Sequence, residues 1–411
     1  MNKLIFTVIM LAPGAALAGG YFIPNETARD LGLSESAVAA QDGAEAVLLN
    51  VAALAGQEGL DVSANGELLV NQTDWSDPSL GATSLNTKPT YPPAGAVAYG
   101  DRLPNGMPWG IGAGAAVAGG ASLDWPRGWP GQEASQSVDQ MVFQIGIGGA
   151  IQPLPYLKLG AGYLRYQLGE EIHQSINYLD HFGDAGVSVS GGGNSFIAGL
   201  EATVPGVPLT FGANYKHSAD VSLEGDAHFT QVPSAFQPML HDQGVTLTRT
   251  VPAELIVGAA YEAFPGLRFM GAFTFERWKV YENDRLVGDD GFMVVVPRNY
   301  NNAGVIRVGT EWDHTRFWQP LTLRAGALWN ISQQPSNTIS PTLTDANSLG
   351  VSVGAGYHVA RRLRIDIGYQ HAFFAAVTAT GEAFPGTYKS SADLISLGVN
   401  WRSDLGFLRG R

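Results

Sequence analysis

LTLRAGALWN, residues Leu321 to Asn330, alternates between two kinds of side chain. Successive side chains of a strand point to opposite faces of the sheet. One face would carry Leu321, Leu323, Ala325, Ala327 and Trp329, and the other Thr322, Arg324, Gly326 and Asn330. The stretch therefore predicts a strand with one apolar face and one small or polar face.

The same pattern recurs along the chain, for example in Leu363 to Gln370 and in Ile395 to Arg402. About fourteen such segments, many near ten residues long, follow Gly59, which is typical of a membrane barrel. Many apolar faces end in an aromatic residue, as expected at a bilayer interface: Tyr163, Tyr261, Trp312, Trp329, Tyr357, Tyr369 and Trp401. A soluble β-sandwich also alternates, but its strands are shorter. We therefore expect an all-β fold, a 14-stranded antiparallel transmembrane β-barrel.

The predicted strands lie near residues 59–70, 91–100, 108–119, 138–151, 157–176, 187–204, 209–229, 244–263, 267–285, 296–312, 321–333, 348–359, 363–375 and 390–402. Every second connection is short, such as Pro205 to Pro208 and Phe264 to Gly266, whereas the alternate ones, such as Ser332 to Asn347, are long and polar. Short periplasmic turns opposite long outer loops are the barrel topology. Both chain ends then lie on the periplasmic side.

The chain divides into four predicted parts. Residues 1–18 resemble a cleaved signal peptide, with Lys3, the apolar run Leu4 to Leu11 and the cleavage site Ala16-Leu17-Ala18. Residues 19–58 lie outside the alternation and are Ala-rich, which predicts a small helical hatch that plugs the lumen or, alternatively, hangs in the periplasm. Residues 59–402 form the barrel and residues 403–411 a C-terminal tail.

Composition narrows the function. The chain is 45% hydrophobic but only 15% charged, and no apolar run after Ala18 is long enough for a transmembrane helix. The absence of Cys excludes disulfides and thiolate metal sites. A net charge of −13 argues against nucleic acid as a partner. No motif for a cofactor or a metal is apparent, and the destination we expect is a bacterial outer membrane.

Several strings, taken in order, resemble one family. The hatch segment ends in Asn50-Val51-Ala52, similar to an Asn-Pro-Ala with Val51 in place of Pro. The other strings are Phe211 to His217, Val251 to Gly258, Leu321 to Gly326, Gln334 to Ser336, Pro341 to Asp345 and Val353 to Tyr357. Together they resemble the FadL/TodX (OMPP1) outer-membrane transporters of long-chain fatty acids and hydrocarbons over nearly the whole mature chain.

The resemblance implies a mechanism of passive, ligand-gated uptake of a hydrophobic small molecule. Binding would shift the hatch at Asn50, Val51 and Ala52. The ligand would leave sideways into the membrane through a kink in the third strand, where glycines alternate: Gly110, Gly112 and Gly114. The alternative is that these glycines make room for the plug. The resemblance also favours a monomer in contact with outer-membrane lipids and lipopolysaccharide.

Charges on the predicted lumen face allow two interpretations. They are Lys158, Lys216, Arg268, Arg307, Arg324 and Arg364, with Glu201, Glu254, Glu276, Glu311 and Asp366. An internal salt-bridge network that closes a narrow barrel is the first interpretation. In the second, one or two cations hold a ligand head group, and Lys216 and Arg268 are the candidates because they flank the segments most similar to the family's binding region.

The long loops carry apolar residues that a solvated loop does not need: Trp125, Trp129, Phe229, Phe236, Met239 and Leu240. They predict an exposed groove that collects a hydrophobic ligand, or a surface covered by lipopolysaccharide. A non-transporting adhesin or structural barrel and a general porin are the rival functions. Catalysis is not expected, because Ser352 of the string Gly350-Val351-Ser352-Val353-Gly354 lies inside a predicted strand and not at a strand-to-helix turn.

Overall fold

A computed structural model describes residues 27–314, 320–381 and 384–403. Within these residues fourteen antiparallel strands form a closed barrel, because the first strand pairs with the second and also with the last. The predicted signal peptide lies outside the described residues, as do the first eight residues of the predicted hatch and residues 404–411 of the tail. No helix in the described ranges has the length and apolar character needed to cross a membrane.

The strands, numbered along the chain, are β1 (Gly59–Asp77), β2 (Pro93–Arg102), β3 (Pro108–Asp124), β4 (Ser137–Leu154), β5 (Leu157–Asn177), β6 (Phe182–Thr203), β7 (Leu209–Lys216 and Ala219–Phe229), β8 (Gln243–Val251 and Glu254–Phe264), β9 (Leu267–Glu276 and Asn283–Gly288), β10 (Met293–Pro297 and Ala303–Asp313), β11 (Leu321–Ile331), β12 (Ser348–Ala360), β13 (Leu363–Phe374) and β14 (Gly386–Arg402). Short strands Gly81–Ser84 and Val377–Ala379 extend the β1 and β14 edges. The predicted fold class is confirmed.

The alternation observed in the sequence separates lipid from lumen. Leu323 and Trp329 of β11 are 42% and 45% exposed, whereas Arg324 and Asn330, on the opposite face of the strand, are buried. All seven aromatic residues predicted at the bilayer interfaces are exposed on the outer surface. An apolar outer band with aromatic edges is what a bilayer requires of a barrel.

Four consecutive strands, β7 to β10, are broken at a similar height. In β8 the break falls at Pro252, which has no N–H for the ladder. In β9 it contains a 3₁₀ helix, Trp278–Val280. The backbone around these breaks directs Trp278, Tyr281 and Tyr300 into the barrel, where all three are buried. The breaks therefore fill the outer half of the lumen with aromatic rings.

The N-terminal segment lies inside the lumen. It consists of α1 (Ala28–Gly32), α2 (Ala46–Leu49) and a 3₁₀ helix, Val51–Gly56. Thr27 caps α1 through a hydrogen bond from the Asp30 amide, as helix N-caps commonly do. Such short helices gain little from propensity, so packing against the barrel wall stabilises them.

Candidate functional site

Inward-facing glycines form a belt around the hatch. A Cβ on Gly212 would lie 2.5 Å from the Val38 carbonyl oxygen, and one on Gly326 would lie 2.6 Å from the Leu33 carbonyl carbon. Any side chain at these positions would displace the hatch backbone. Other strands contribute to the belt with Gly110, Gly148, Gly160, Gly199, Gly258, Gly354 and Gly368. The frequent glycines of the sequence therefore create the space that the hatch occupies.

Asn50 joins two parts of the hatch to the wall. Its Nδ2 donates to the Val38 carbonyl at 2.7 Å and to the Leu200 carbonyl of β6 at 3.3 Å. Its Oδ1 accepts a hydrogen bond from the Ala52 amide at 3.2 Å and caps the 3₁₀ helix. Val51 occupies the first position of that helix, where Pro is well tolerated. Replacement of the family's Pro by Val therefore leaves the turn intact.

The third-strand glycines lie in a closed part of the wall. Gly110, Gly112 and Gly114 are paired with β2 on one side and with β4 on the other. A Cβ on Gly110 would overlap the Leu54 carbonyl, and one on Gly114 would lie 3.0 Å from Val47. In this structure the wall is closed at these glycines, which make room for the plug, and an opening at this strand stays a prediction.

The irregularity of β3 lies further along. Its ladder with β4 shifts between Val117 and Gly119, which leaves Ala118 as an extra residue. An extra residue bends a strand and disrupts its local pairing. The bend in β3 therefore lies several residues beyond the alternating glycines, at a bulge that the sequence pattern does not reveal.

A small gap in the wall adjoins this bulge. Strand β2 begins only at Pro93, so the end of β3 beyond Ala116 has no ladder partner on that side. A cavity of about 50 Å³ lies there, between Thr90 to Pro92 and Val117 to Ser122. Its lining reaches from Leu69, which faces the lumen, to Met141, which is 44% exposed on the outer surface. The gap therefore borders side chains from both faces of the wall.

Ion pairs connect the hatch to the barrel wall on the periplasmic side of the wall gap. Glu311 accepts from Arg29 of the hatch at 3.0 Å and from Arg324 of β11 at 2.8 Å. Arg324 also binds Asp366 at 2.7 Å. Arg307 pairs with Glu35 of the hatch at 2.7 Å. These contacts match the first interpretation of the lumen charges, a salt-bridge network that closes the barrel.

The two head-group candidates do not share a site. Lys216 lies beside Glu254 in the ladder, and Arg268 lies beside Glu262 eight residues further along β8. At about 3.3 Å per residue, the separation is about 26 Å along the strand. Lys216 Nζ lies 3.8 Å from Glu254, and Arg268 lies 3.7 Å from Glu311. Each cation therefore has an acidic neighbour, and only Arg268 faces the periplasmic end.

A polar vestibule opens beneath the hatch, at the end of the short turns. The cavity measures about 690 Å³. The basic side chains that line it are Arg29, Arg268, Arg324, Arg361, Arg362, Arg364 and Arg402, and the acidic ones are Asp42, Asp61, Glu201, Glu262, Glu311 and Asp313. An apolar molecule would gain little burial in such a space and would separate charges from water.

The outer half of the lumen has the opposite character. Many of its inward side chains form one large buried apolar cluster, hereafter the outer apolar cluster, that extends from Val138 and Val142 on β4 to Tyr281 and Tyr300 near β10. Leu343 from the loop between β11 and β12 belongs to it. Apolar surface of this extent suits a hydrophobic ligand.

The loop between β11 and β12 folds into the outer mouth of the barrel. Residues Ile339 to Ala346 are all buried, which is unusual for a loop. Gln334 supports this plug loop: its Nε2 donates to the carbonyls of Thr338 and Leu343, and its Oε1 accepts from the Asp345 amide at 2.8 Å. The sequence predicts a long polar outer loop here, not a loop that is buried in the mouth.

The predicted loop groove divides into two parts. Trp125 and Trp129 are 2% and 3% exposed and stack at 4.3 Å in an aromatic cap with Trp75. Phe229, Phe236 and Leu240 pack instead against the outer apolar cluster, and Met239 is 49% exposed. The expectation of one exposed groove is therefore wrong for the two tryptophans, because the Trp125 indole donates to Pro341 of the plug loop and is covered by it.

The structure provides little for catalysis or metal binding. The Ser352 hydroxyl lies 2.8 Å from the Ser34 hydroxyl of the hatch, so it is part of the contact between hatch and wall. Among the described residues, no group of three or more His, Asp or Glu side chains could hold a metal ion.

Comparisons with known proteins agree with this architecture. A crystal structure of a Pseudomonas aeruginosa FadL homologue superposes with a TM-score of 0.83 at 15% identity, covering 93% of this chain and 100% of that one. The P. putida toluene transporter TodX gives 0.72 at 17% identity, with 91% and 98% covered. At these identities the likeness shows the fold alone.

Sequence comparison identifies the family. A 47 kDa outer membrane protein of Pasteurella multocida is 28% identical over 203 residues, so the match spans only 46% of this chain and 46% of that protein. The family described as outer membrane protein transport protein (OMPP1/FadL/TodX) matches residues 9–402. The chain therefore belongs to the OMPP1/FadL/TodX family of outer-membrane transport proteins.

Proposed function

We propose that this protein carries hydrophobic small molecules across the outer membrane and releases them sideways into the bilayer through the gap beside β3. The observation that carries the proposal is the contrast between the two halves of the lumen. The outer half contains the outer apolar cluster around one buried ion-pair group, Glu170, Arg249, Asp284 and Arg298, whereas charges line the whole vestibule beneath the hatch. Contact with the outer apolar cluster is favourable for an apolar ligand, whereas contact with the charged vestibule is unfavourable.

The wall gap offers an exit that avoids the vestibule. It lies on the outer side of the hatch, and its lining includes both the lumen-facing Leu69 and the lipid-facing Met141. A ligand that leaves there passes from one apolar environment to another. With a volume of about 50 Å³, the gap must widen before a ligand passes, so release requires movement of the chain from Thr90 to Pro92.

Ligand gating is the second part of the proposal. The hatch closes the barrel, and Asn50, Val51 and Ala52 connect it to β6 through hydrogen bonds and close packing. A ligand in the outer apolar cluster would displace this segment and thereby loosen the wall near β3, which packs against Val47 and Leu54. A monomer in contact with lipid and lipopolysaccharide is sufficient for this mechanism.

The related proteins of known substrate include a toluene transporter, and the family name includes FadL. For an acidic ligand, Lys216 stays the better candidate to bind the head group. Arg268 lines the polar vestibule, whereas Lys216 lies above it. Head-group binding by either residue requires that the ligand replace the acidic side chain that now pairs with it.

Uptake by cells tests the proposed function. Cells that lack the protein or carry it should be given labelled dodecane, and cell-associated label should rise several-fold with the protein present. Mass spectrometry of an organic extract of the purified barrel should also show a bound hydrophobic molecule. Equal uptake in both strains, together with open-channel ion conductance in planar bilayers, would instead indicate a general porin.

A further inference from the structure

Six buried polar atoms at the outer end of the lumen have no hydrogen-bond partner among the described residues. They are Oδ1 and Nδ2 of Asn330, Oε1 and Nε2 of Gln333, Oγ of Ser348 and the hydroxyl oxygen of Tyr300. The four residues are 0%, 0%, 1% and 2% exposed. Buried polar groups in proteins are almost always paired, since an unpaired one loses its hydration without compensation.

These four side chains lie on three neighbouring strand ends. Asn330 of β11 stands directly opposite Ser348 of β12 in the ladder. The amide of Asn301 donates to the Gln333 carbonyl at 2.8 Å, which places the segment of Tyr300 beside the end of β11. Asn330 points into the barrel, because its neighbours in the strand, Trp329 and Ile331, are exposed outside. The four residues form one patch, hereafter the amide patch.

The amide patch borders an aromatic wall. The Tyr300 ring lies 5.2 Å from the Tyr281 ring and 5.9 Å from the Trp278 ring, measured between centroids. All three rings belong to the outer apolar cluster, together with Leu343 of the plug loop. A molecule that occupied this place would meet apolar side chains along its length and hydrogen-bonding groups at one end. That is the shape of an amphiphile.

We propose that the amide patch holds the neutral hydroxyl head of an amphiphilic ligand, such as a long-chain alcohol or a phenol. This inference rests on the proposed transport of hydrophobic molecules and specifies their class. Each of the four side chains can both donate and accept, or offers a donor and an acceptor side by side. A hydroxyl group donates one hydrogen bond and accepts others, so it satisfies both kinds of atom at once.

A carboxylate fits this place less well. It only accepts hydrogen bonds, so the Asn330 and Gln333 carbonyl oxygens would stay unpaired and would repel it. Glu276 accepts a hydrogen bond from the Trp278 indole at 2.5 Å and so offers the carboxylate no donor in this part of the lumen. The nearby cation Arg298 is engaged by Asp284 at 2.9 and 2.8 Å. An alkane fits poorly for another reason, since it would leave all six polar atoms unpaired.

The test compares three probes with the same chain length: dodecanol, dodecane and laurate. Equilibrium binding of each probe to the full chain is measured in lipid nanodiscs. The signal of empty nanodiscs is subtracted. The structure predicts that dodecanol binds about tenfold more tightly than dodecane, the value of one good buried hydrogen bond. It also predicts that laurate binds more weakly than dodecanol.

Substitution of the patch should remove this preference. In N330L/Q333L the amides become apolar groups of similar size, so dodecanol and dodecane should bind with similar affinity while dodecane binding persists. Asn214→Leu is the matched control: Asn214 is also buried and inward-facing, but it lies on β7, four strands from β11, and should keep the preference. If N330L/Q333L does not fold, Tyr300→Phe and Ser348→Ala remove one hydroxyl each, and each should reduce the preference.

The outcomes separate the two proposals. Equal affinity of the wild-type protein for dodecanol and dodecane would overturn the head-group assignment, with water as the partner of the patch, and leave transport of hydrophobes intact. Tighter binding of laurate than of dodecanol would also overturn it. Binding of none of the three probes would overturn the proposed function itself.

Discussion

At the scale of single residues, close backbone contact and one buried amide hold the hatch in place. Asn50 makes three hydrogen bonds inside a dry interface, two from its Nδ2 and one to its Oδ1. Leucine has nearly the same size but can make none of them. The carbonyls of Val38 and Leu200 would then be left with fewer donors in a place that water does not reach.

Asn50→Leu should therefore free the hatch without unfolding the barrel. The loss of about three hydrogen bonds at roughly 1 kcal/mol each is enough to raise the open population many-fold. Single-channel recording in planar bilayers should show more frequent openings than in the wild-type protein. Asn214→Leu, an inward amide with no hydrogen bond to the hatch in the described structure, should stay closed. Identical traces for both variants would contradict the role of Asn50.

The glycine belt predicts an equally local effect. Gly326→Ala would drive a methyl group into the Leu33 and Ser34 backbone, where less than 3 Å is available. We expect the hatch to shift and its cleavage by an added protease to become several-fold faster. Gly169→Ala is the control, because nothing lies within 4 Å of a Cβ there. Equal cleavage of the two variants would show that the belt does not position the hatch.

At the scale of elements, the alternation of side chains was sufficient to predict the strands, because one face of every strand meets lipid and the other meets the lumen. Strand ends were less predictable. Strand β1 runs to Asp77 rather than to residue 70, since β14 supplies partners as far as Ser76. The sequence pattern becomes polar on both faces there, so local composition carries no signal of pairing above the membrane.

The parts of the candidate site that were missed depend on long-range contacts. Nothing in the order of residues shows that Trp125 would be covered by Pro341, 216 positions further along the chain. The sequence contains one indication that the plug loop is buried, since the apolar Ile339 and Leu343 interrupt a polar segment. The bulge at Ala118 had no such signal, because the preceding glycines gave a stronger but incorrect indication of a bend.

The ion-pair network gives a test at this scale. Glu311→Gln would leave Arg29 and Arg324 without their shared carboxylate in a buried place, at a cost of about 3–5 kcal/mol. The temperature of unfolding should fall clearly. Asp139→Asn breaks the exposed ion pair with Lys88, which contributes at most about 1 kcal/mol, and should change the temperature of unfolding little. Equal shifts for the two variants would contradict a structural role for the buried network.

At the scale of the whole molecule, the barrel divides into an outer half that contains the outer apolar cluster and a charged inner vestibule, with the hatch between them and a gap in the wall above it. A water-filled pore would have a polar lumen on both sides of its constriction. An adhesin would not need a continuous apolar interior. The division between the halves, more than any single residue, supports transport of hydrophobic molecules with lateral release.

Locking the wall gap tests that central claim most directly. The chain has no native cysteine, so Thr90→Cys and Ala121→Cys can be joined across the gap by a short bismaleimide while each single variant serves as control. The measurement is uptake of labelled dodecane by cells that carry the double variant, before and after cross-linking. Lateral release predicts that cross-linking reduces uptake to the level of cells without the protein. Unchanged uptake through a fully cross-linked barrel would contradict it and would mean that the ligand passes the hatch into the vestibule.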